Sequence, residues 1–288
     1  MSTMISKADD LGPALLFCPG DRPERFAKAA AAGDVAVLDL EDGVAAGAKD
    51  GARASVSEFL ARSGAAGIAV RINHPTTERG RADADAVIAS GGRILIMPKT
   101  ESGAEVRAIA ALRPHADNLR LFVTIETAAG LLNLPQILEE PGVAAVSWGP
   151  YDLAADIGAR AVRDDKGRLL SLFLHARDRI LLCAAAARIA AFDTVTTELG
   201  DLGILARDAT EAAVLGFAGK FAIHPTQVDV IRRSFCPSED EIQRSRRLVA
   251  ATPGFGAFIF EGEMIDEPML RRARRTLALA DRLSAPAR

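Results

Sequence analysis

Eight short apolar runs between Ala14 and His224 each stop abruptly on polar or charged residues. They read ALLFCPGD, VAVLDLED, GIAVRIN, ILIMPK, LFVTIET, AAVSWGPYD, AAFDTV and KFAIHP. Each run has the length of a buried parallel strand, and helical patterns separate most of them. Such an alternation closes into a barrel or opens into a doubly wound sheet. Polar residues at nearly every strand end favour closure, because an open sheet concentrates its site at one switch point.

The runs predict an α/β fold, a (β/α)8 TIM barrel formed by residues 1–235. The predicted strands are Leu15–Pro19, Val35–Glu41, Ile68–Asn73, Ile94–Pro98, Leu121–Glu126, Val143–Gly149, Ile189–Val195 and Lys220–His224. The predicted helices are Pro23–Ala32, Lys49–Arg62, Ala82–Ser90, Ser102–Leu112, Ala128–Glu139, Leu172–Arg188 and Leu202–Leu215. A chain of 288 residues suits this fold, which typically needs about 250.

The pattern changes after His224. Ser238 and Glu241 form a capping-box sequence that begins a helix running to about Ala251. TPGFG breaks this helix, a strand-like AFIF follows, and GEMIDEP leads into a last helix ending near Leu283. Residues 236–288 are too short for an independent domain, so we predict a C-terminal helical extension that packs on the barrel or reaches beyond it.

Composition excludes several classes of partner. The 38 acidic and 35 basic residues leave a net charge of −3, which favours neither nucleic acid nor a membrane surface. Cys18, Cys183 and Cys236 show no close spacing, as expected in a reducing compartment. The first residues lack the apolar stretch of a signal peptide, and no run approaches about 18 apolar residues. We therefore expect a cytoplasmic protein.

Two carboxylates are candidates for a metal site. Glu126 ends the fifth predicted strand and Asp152 follows the sixth. Together with waters and a chelating substrate that complete six oxygens, they suit magnesium, whereas the scattered histidines do not suit zinc. In the alternative interpretation, Glu126 bonds Arg71 or Lys99, and Asp152 caps a helix starting at Leu153.

Other charged residues also fall at strand ends. Asp39 and Glu41 of LDLED point the same way on an extended chain, and with Asp42 they would repel one another unless a cation or a shared proton relieves them. Arg71 lies inside an apolar strand, where burial of a guanidinium is costly without an anion. Arg71 either forms a core salt bridge or grips a substrate carboxylate.

Basic residues follow PGD at the start of the first helix. Arg22, Arg25 and Lys28 could join the helix N-terminal amides in a phosphate site. The alternative is an ordinary solvated helix face.

Taken together, these segments resemble the HpcH/HpaI aldolase and citrate lyase superfamily, and within it the citrate lyase β-subunit-like branch that includes malyl-CoA and citramalyl-CoA lyases. The motifs are FCPGDRPERFAKA, VLDLEDGVA, VRIN, MPKT, TIETAAGL, DLAADIG, GKFAIHP and FEGEMIDEP, which occur in this order along nearly the whole chain. The resemblance implies a TIM barrel with a C-terminal extension, assembled as a homotrimer or hexamer. It also implies a Mg²⁺-dependent enzyme.

The resemblance implies roles for particular residues. Glu126 and Asp152 would hold Mg²⁺, and Glu126 would also bind substrate. Arg71 would be a catalytic residue that contacts the 2-keto acid and its enolate. Asp39 and Glu41 would be catalytic residues that lie behind the metal and order its waters. The coenzyme A ester would be held by Phe17, Arg25, Lys28, Ile223 and His224. Asp266 would be the catalytic acid/base, delivered from a neighbouring subunit. Without the resemblance, Asp266 is a helix N-cap before Pro268.

The activity implied is carbon–carbon cleavage or formation in a 3-hydroxy-acyl-CoA ester, giving an acyl-CoA and pyruvate or glyoxylate. No Schiff-base lysine is required, although Lys99 and Lys220 are expected near the barrel mouth. Trp148-Gly149-Pro150-Tyr151 stands where the family usually has small, flexible residues, so the substrate stays open. The alternatives are a citrate lyase β-subunit acting on an acyl-carrier-protein thioester, a pyruvate-dependent aldehyde aldolase and a non-catalytic scaffold.

Overall fold

The computed structural model describes residues 11–112, 118–253 and 256–284. The first ten residues, which bear on the signal peptide, and Gly254 and Phe255 of the predicted break lie outside these ranges. Within them, no helix combines the length and apolar character needed to cross a membrane. The chain divides into two compact units, Met1–Ile231 and Arg232–Arg288, whereas the sequence placed the boundary after residue 235.

The first unit contains eight parallel strands that close into a barrel in sequence order, with β1 paired to both β2 and β8. The strands are β1 Ala14–Pro19, β2 Val35–Asp39, β3 Ile68–Arg71, β4 Ile94–Met97, β5 Arg120–Ile125, β6 Val143–Trp148, β7 Ala190–Asp193 and β8 Gly219–Ala222. The helices are α1 Phe26–Ala32, α2 Lys49–Ser63, α3 Glu78–Ala89, α4 Gly103–Ala110, α5 Ala128–Leu138, α6 Pro150–Asp156, α7 Ser171–Ala187 and α8 Leu202–Leu215. The next helix, α9 Pro225–Phe235, begins in this unit and continues past its last residue, Ile231. The predicted TIM barrel is confirmed.

Every strand contributes an apolar side chain to the barrel interior. These side chains are Leu15, Val37, Ala69, Ile96, Phe122, Ala145, Phe192 and Phe221. Because side chains alternate along a strand, the inward positions nearer the carboxyl ends are those of Asp39, Arg71, Glu126 and Gly149. The alternation that fills the core therefore also directs the polar residues of β2, β3 and β5 to the barrel mouth.

Several strands end before the predicted residue. β2 ends at Asp39 instead of Glu41, because the Asp39 carboxylate accepts the backbone N–H of Glu41 and turns the chain. β3 ends at Arg71, and the side chain of Asn73 then bonds the backbone of β2's loop at Leu40. Asp39 and Arg71 are therefore the last strand residues, and Glu41 and Asn73 already belong to the loops.

The second unit has its own small core. The capping box of Ser238 and Glu241 is confirmed and begins α10 Glu239–Ala250. An antiparallel hairpin, β9 Phe258–Phe260 and β10 Glu263–Ile265, precedes α11 Glu267–Ser284. The sequence predicted the AFIF strand but not β10. Leu248, Ile265, Leu270 and Ala273 form the apolar centre of this unit.

A buried charged network ties three barrel strands to α7. Asp193 at the end of β7 accepts hydrogen bonds from Trp148 Nε1 (2.8 Å), Lys220 Nζ (3.2 Å) and Arg177 Nη2 (3.2 Å). All four side chains are buried. Burial would raise the pKa of Asp193, but the charges of Lys220 and Arg177 outweigh it and lower the pKa. Lys220, expected near the mouth, therefore lies in this network and also donates to the Thr194 carbonyl.

We expect Asp193→Ala to lower the free energy of unfolding by about 3–5 kcal/mol, because it leaves two buried cations without their shared carboxylate. Urea denaturation at neutral pH would measure the change. Asp178→Ala, at an exposed position of α7, is the control. Equal stability of the two variants would contradict a structural role for the network.

Candidate active site

Charged side chains from five neighbouring strand ends meet at the carboxyl end of the barrel. They are Asp39, Glu41, Asp42, Arg71, Lys99, Glu126 and Asp152, and each forms an ion pair or a hydrogen bond with another residue of the group. In (β/α)8 barrels this end is the one that carries catalysis. The predicted convergence of Glu126, Asp152 and Arg71 at one mouth is therefore present in the structure.

The Asp39–Arg71 pair is set by strand register. The two residues face each other across β2 and β3. Arg71 donates through Nε to Asp39 Oδ1 (2.7 Å) and through Nη2 to Oδ2 (2.6 Å), a bidentate pair. Glu41 Oε2 lies 3.1 Å from Arg71 Nη1, and the guanidinium lies over the Phe17 ring at 4.8 Å. Arg71 was expected either to form a core salt bridge or to grip a substrate carboxylate, and the structure contains the salt bridge.

Arg71 remains a fixed positive charge. Burial would lower the pKa of Arg71, but the hydrogen bonds and charge of Asp39, with the charge of Glu41, raise it above its ordinary value. Asp39 is also fixed from its own loop, since Oδ1 accepts the N–H of Glu41 (2.9 Å) and Oδ2 that of Gly43 (2.8 Å). The guanidinium is therefore held by a carboxylate that is itself anchored.

Lys99 follows β4 and reaches most of the remaining carboxylates. Its Nζ lies 2.5 Å from Glu41 Oε1, 3.2 Å from Asp42 Oδ2 and 3.2 Å from Asp152 Oδ1. Burial would lower the pKa of Lys99, but its hydrogen bond to Glu41 and the charges of Glu126, Glu41 and Asp152 raise it. Lys99 is therefore an ammonium ion committed to the acidic group, not a free amine nucleophile.

Glu126 is a buried carboxylate held by backbone. Its Oε1 accepts the backbone N–H of Lys99 (2.9 Å). A β-carbon added to Gly149 would lie 2.2 Å from Glu126 Oε2, so the absence of a side chain at Gly149 leaves room for this carboxylate. Burial first, and the negative charge of Asp152 second, raise the pKa of Glu126 to about 8. A cation bound between the two carboxylates would offset both the cost of burying the charge and the repulsion from Asp152, and would therefore favour the ionised form of Glu126.

Asp152 is not a helix cap. The helix α6 begins at Pro150, with Gly149 as its N-cap, so Asp152 lies in the first turn with its side chain directed to Lys99. The alternative in which Asp152 caps a helix starting at Leu153 is therefore not what the structure contains. The alternative in which Glu126 bonds Lys99 is present in one form, because the backbone N–H of Lys99 donates to the Glu126 carboxylate.

The donor set fits a hard cation with few protein ligands. Glu126 and Asp152 offer carboxylate oxygens, which Mg²⁺ prefers, and Mg²⁺ commonly keeps several waters. No group of three or more His, Cys, Asp or Glu side chains suited to a metal occurs in residues 11–112, 118–253 and 256–284. Two protein carboxylates, completed by water and substrate, therefore match what these ranges provide.

The residues expected to hold the coenzyme A ester lie in β1, in the segment and helix α1 that follow it, and after β8, which pairs with β1. Phe17 is half-buried and stacks on Phe221 at 5.2 Å. The other four are Arg25, Lys28, Ile223 and His224, and their side chains are exposed. The region around the ends of β1 and β8 therefore presents apolar side chains, such as Phe17, beside basic ones, such as Arg25.

Asp266 lies in the second unit. It follows β10 directly and precedes α11, so it occupies the N-cap position of that helix. Its carbonyl accepts the N–H of Leu270 (3.2 Å), as the first intrahelical bond requires. Its side chain is half-exposed and lines a pocket with Thr252 and Arg274. Asp266 therefore occupies the helix N-cap position expected from the sequence, and its half-exposed carboxylate leaves a second role possible.

Sequence reasoning missed the roles of Lys99 and Gly149. Lys99 was noted only as a lysine near the mouth and as a possible partner of Glu126. A signal existed, because Lys99 ends the apolar run ILIMPK as Glu126 ends its own run. Gly149 offered less, since its importance comes from the position of Glu126 on the neighbouring strand.

Comparison with known proteins identifies this arrangement. The sequence model of the HpcH/HpaI aldolase/citrate lyase family matches residues 14–225. The chain belongs to this family. The resemblance drawn from the motifs is confirmed, and membership of the HpcH/HpaI family makes the chain an enzyme of the lyase and aldolase class.

Relatives within the HpcH/HpaI family align over most of the chain. The citrate lyase subunit beta-like protein of Mycobacterium tuberculosis H37Rv is 38% identical over 270 residues, covering 93% of this chain and 96% of that protein. Human mitochondrial citramalyl-CoA lyase is 34% identical over 295 residues, covering 93% and 85%. The M. tuberculosis CitE structure in complex with magnesium, acetoacetate and coenzyme A has a TM-score of 0.85 and 36% identity, covering 95% and 99%.

We expect Gly149→Ala to displace the Glu126 carboxylate, because the new β-carbon would lie 2.2 Å from Oε2. Mg²⁺ affinity, measured by isothermal titration calorimetry, should fall about 10–100-fold. Gly51→Ala is the matched control, since no atom lies within 4 Å of a β-carbon at that helical position. Unchanged Mg²⁺ affinity in Gly149→Ala would contradict the role of Glu126 as a ligand.

Proposed function

We propose that the protein is a Mg²⁺-dependent lyase that cleaves or forms a carbon–carbon bond in a 3-hydroxy-acyl-CoA ester of the citramalyl-CoA or malyl-CoA type. The products of cleavage are an acyl-CoA and a 2-keto acid, pyruvate or glyoxylate. The observation that carries the proposal is the meeting of Glu126, Asp152 and Arg71 at one barrel mouth. The human relative named citramalyl-CoA lyase and the CitE complex with magnesium, acetoacetate and coenzyme A support it.

Glu126 and Asp152 are the proposed protein ligands of Mg²⁺. Both offer carboxylate oxygens, and burial of Glu126 excludes competing water from one side of the site. A magnesium ion bound there would supply Lewis-acid stabilisation of negative charge on the oxygens of the keto acid.

Arg71 supplies fixed charge to the same substrate oxygens. Its guanidinium stays protonated at every physiological pH, and Asp39 and Glu41 hold it in place. Charge that is already oriented costs no reorganisation during the reaction, which is the main source of electrostatic catalysis. In this proposal Asp39 and Glu41 act by positioning Arg71, and Glu41 also anchors Lys99.

The coenzyme A ester is assigned to the ends of β1 and β8. Phe17 offers an aromatic surface, Arg25 and Lys28 offer positive charge for phosphates, and Ile223 with His224 follow the adjacent strand. Cations near the start of a helix favour bound phosphate. This placement leaves the thioester end of the ligand free to approach the carboxylates.

Asp266 is the proposed acid/base at the carbon next to the thioester. It protonates the acyl-CoA enolate on cleavage, or removes that proton in the reverse direction. We propose that it acts in the site of a neighbouring subunit of a homotrimer or hexamer, through residues 236–288. The half-exposed carboxylate, at the start of α11, is accessible enough for such a role.

We expect keto-acid release from at least one of malyl-CoA, methylmalyl-CoA and citramalyl-CoA, in the presence of Mg²⁺ and not in chelator. Asp152→Ala should lower kcat/KM on the order of 10²-fold or more, because the site loses one of two carboxylates. A coupled dehydrogenase assay would measure the keto acid. Activity confined to acyl-carrier-protein thioesters, or full activity in chelator, would contradict the proposal.

The role of Asp266 predicts complementation between inactive variants. Asp266→Ala and Glu126→Ala should each be inactive alone, and mixed oligomers should regain part of the activity because one interface unites an intact metal site with an intact Asp266. Refolding the two variants together and assaying lyase activity would test this. Mixed oligomers that form and stay inactive would place Asp266 in its own chain's site, and a fully active Asp266→Ala would leave it as a helix cap.

A further inference from the structure

Lys99 contacts both halves of the barrel mouth. Its backbone N–H donates to Glu126 Oε1 (2.9 Å). Its ammonium contacts Glu41 (2.5 Å), Asp42 (3.2 Å) and Asp152 (3.2 Å). One residue therefore bonds both proposed magnesium ligands, one through the backbone and the other through the side chain.

The backbone of Lys99 is in an unfavourable conformation. Its φ of +49° lies in the left-handed region, which residues with a side chain adopt at a cost. Such conformations persist where the surroundings hold them, and they cluster at functional sites. At Lys99 it is this residue's own N–H that bonds Glu126 and this residue's own ammonium that bonds Asp152.

The charges at the mouth do not balance without a further cation. Four carboxylates, Asp39, Glu41, Asp42 and Asp152, contact the side chains of two cations, Arg71 and Lys99. A fifth, Glu126, accepts the backbone N–H of Lys99. Arg71 is committed to Asp39 and Glu41. Asp152 therefore pairs with the ammonium of Lys99, which it shares with Glu41 and Asp42.

We propose that Lys99 is a built-in counter-cation of the magnesium site, which holds Asp152 in the metal-free protein and releases it when Mg²⁺ binds. The inference rests on the proposed function, because it takes Glu126 and Asp152 as the ligands. It has two consequences of opposite sign. The ammonium stabilises the metal-free fold, and it weakens Mg²⁺ binding by competing for Asp152 and by repelling the metal ion.

Lys99→Met separates the charge from the backbone contact. Methionine removes the ammonium but keeps the N–H that bonds Glu126, and it adopts the same left-handed backbone at a similar cost. Lys99→Arg is the matched control that keeps the charge. Lys99→Gln is a second uncharged variant, whose side-chain amide can still donate to Glu41 if loss of that hydrogen bond prevents Lys99→Met from folding.

The test measures the melting temperature in chelator and the Mg²⁺ dissociation constant by calorimetry, on the full chain and without substrate. We expect the uncharged variants to melt at lower temperature in chelator, to bind Mg²⁺ at least about tenfold more tightly and to gain more in melting temperature on addition of Mg²⁺. Lys99→Arg should stay close to the wild type in all three measurements.

The outcomes distinguish this inference from the proposed function. If the wild type does not bind Mg²⁺, the proposed function fails and the inference fails with it. If the wild type binds Mg²⁺ while the uncharged variants bind it equally or more weakly, the counter-cation role of Lys99 is overturned and the magnesium site stands. A lower melting temperature that Mg²⁺ does not restore would likewise overturn the inference, since it would assign Lys99 to the fold alone.

Discussion

Closure of eight parallel strands brings the residues that follow them into one small ring, and the charge of that ring has to be balanced. β1 pairs with both β2 and β8, so no strand end can move away from its neighbours. The alternation that directs Val37 and Ala69 into the core directs Asp39 and Arg71 to the mouth two residues later. Carboxylates gathered in this way repel one another unless cations lie among them. Closure of the barrel therefore concentrates negative charge at the mouth, and this charge attracts the cations of the site.

The cations of the mouth differ in how firmly they are held. Arg71 is fixed by a bidentate bond to a carboxylate that accepts two backbone N–H groups. Lys99 is held by single contacts from a long, flexible side chain. A planar, permanently charged group suits a constant role toward substrate, whereas a point charge on a flexible stem can change partners. This difference gives a physical reason for two kinds of basic residue at one site.

Much of the barrel could be predicted from the sequence because the signal is local. Apolar runs ending on polar residues predicted all eight strands, and the strand-end positions of Glu126, Asp152 and Arg71 indicated where they would meet. The sequence offered Lys99 as a possible partner of Glu126. Its contacts with Glu41, Asp42 and Asp152 could not be predicted, since they depend on a left-handed backbone at Lys99 and on segments after β2 and β6 that meet across the mouth. The hairpin strand β10 was missed because GEMI lacks the alternation of a half-buried strand. Strand ends were placed too late where a side chain, such as that of Asp39, closes a turn.

The β6 strand end is fixed from both sides, which bears on substrate choice. Toward the barrel axis, Gly149 leaves the space that Glu126 Oε2 occupies. On the other face, Trp148 donates to the buried Asp193, so the segment is tied to the charged network beneath α7. Trp148 and Pro150 are buried, whereas Tyr151 is exposed and bonds Thr197 through its hydroxyl (2.8 Å). The buried Trp148 and Pro150 thus fix the start of the helix whose first turn carries Asp152, and Tyr151 is the bulky residue of this segment that is exposed and can meet a ligand.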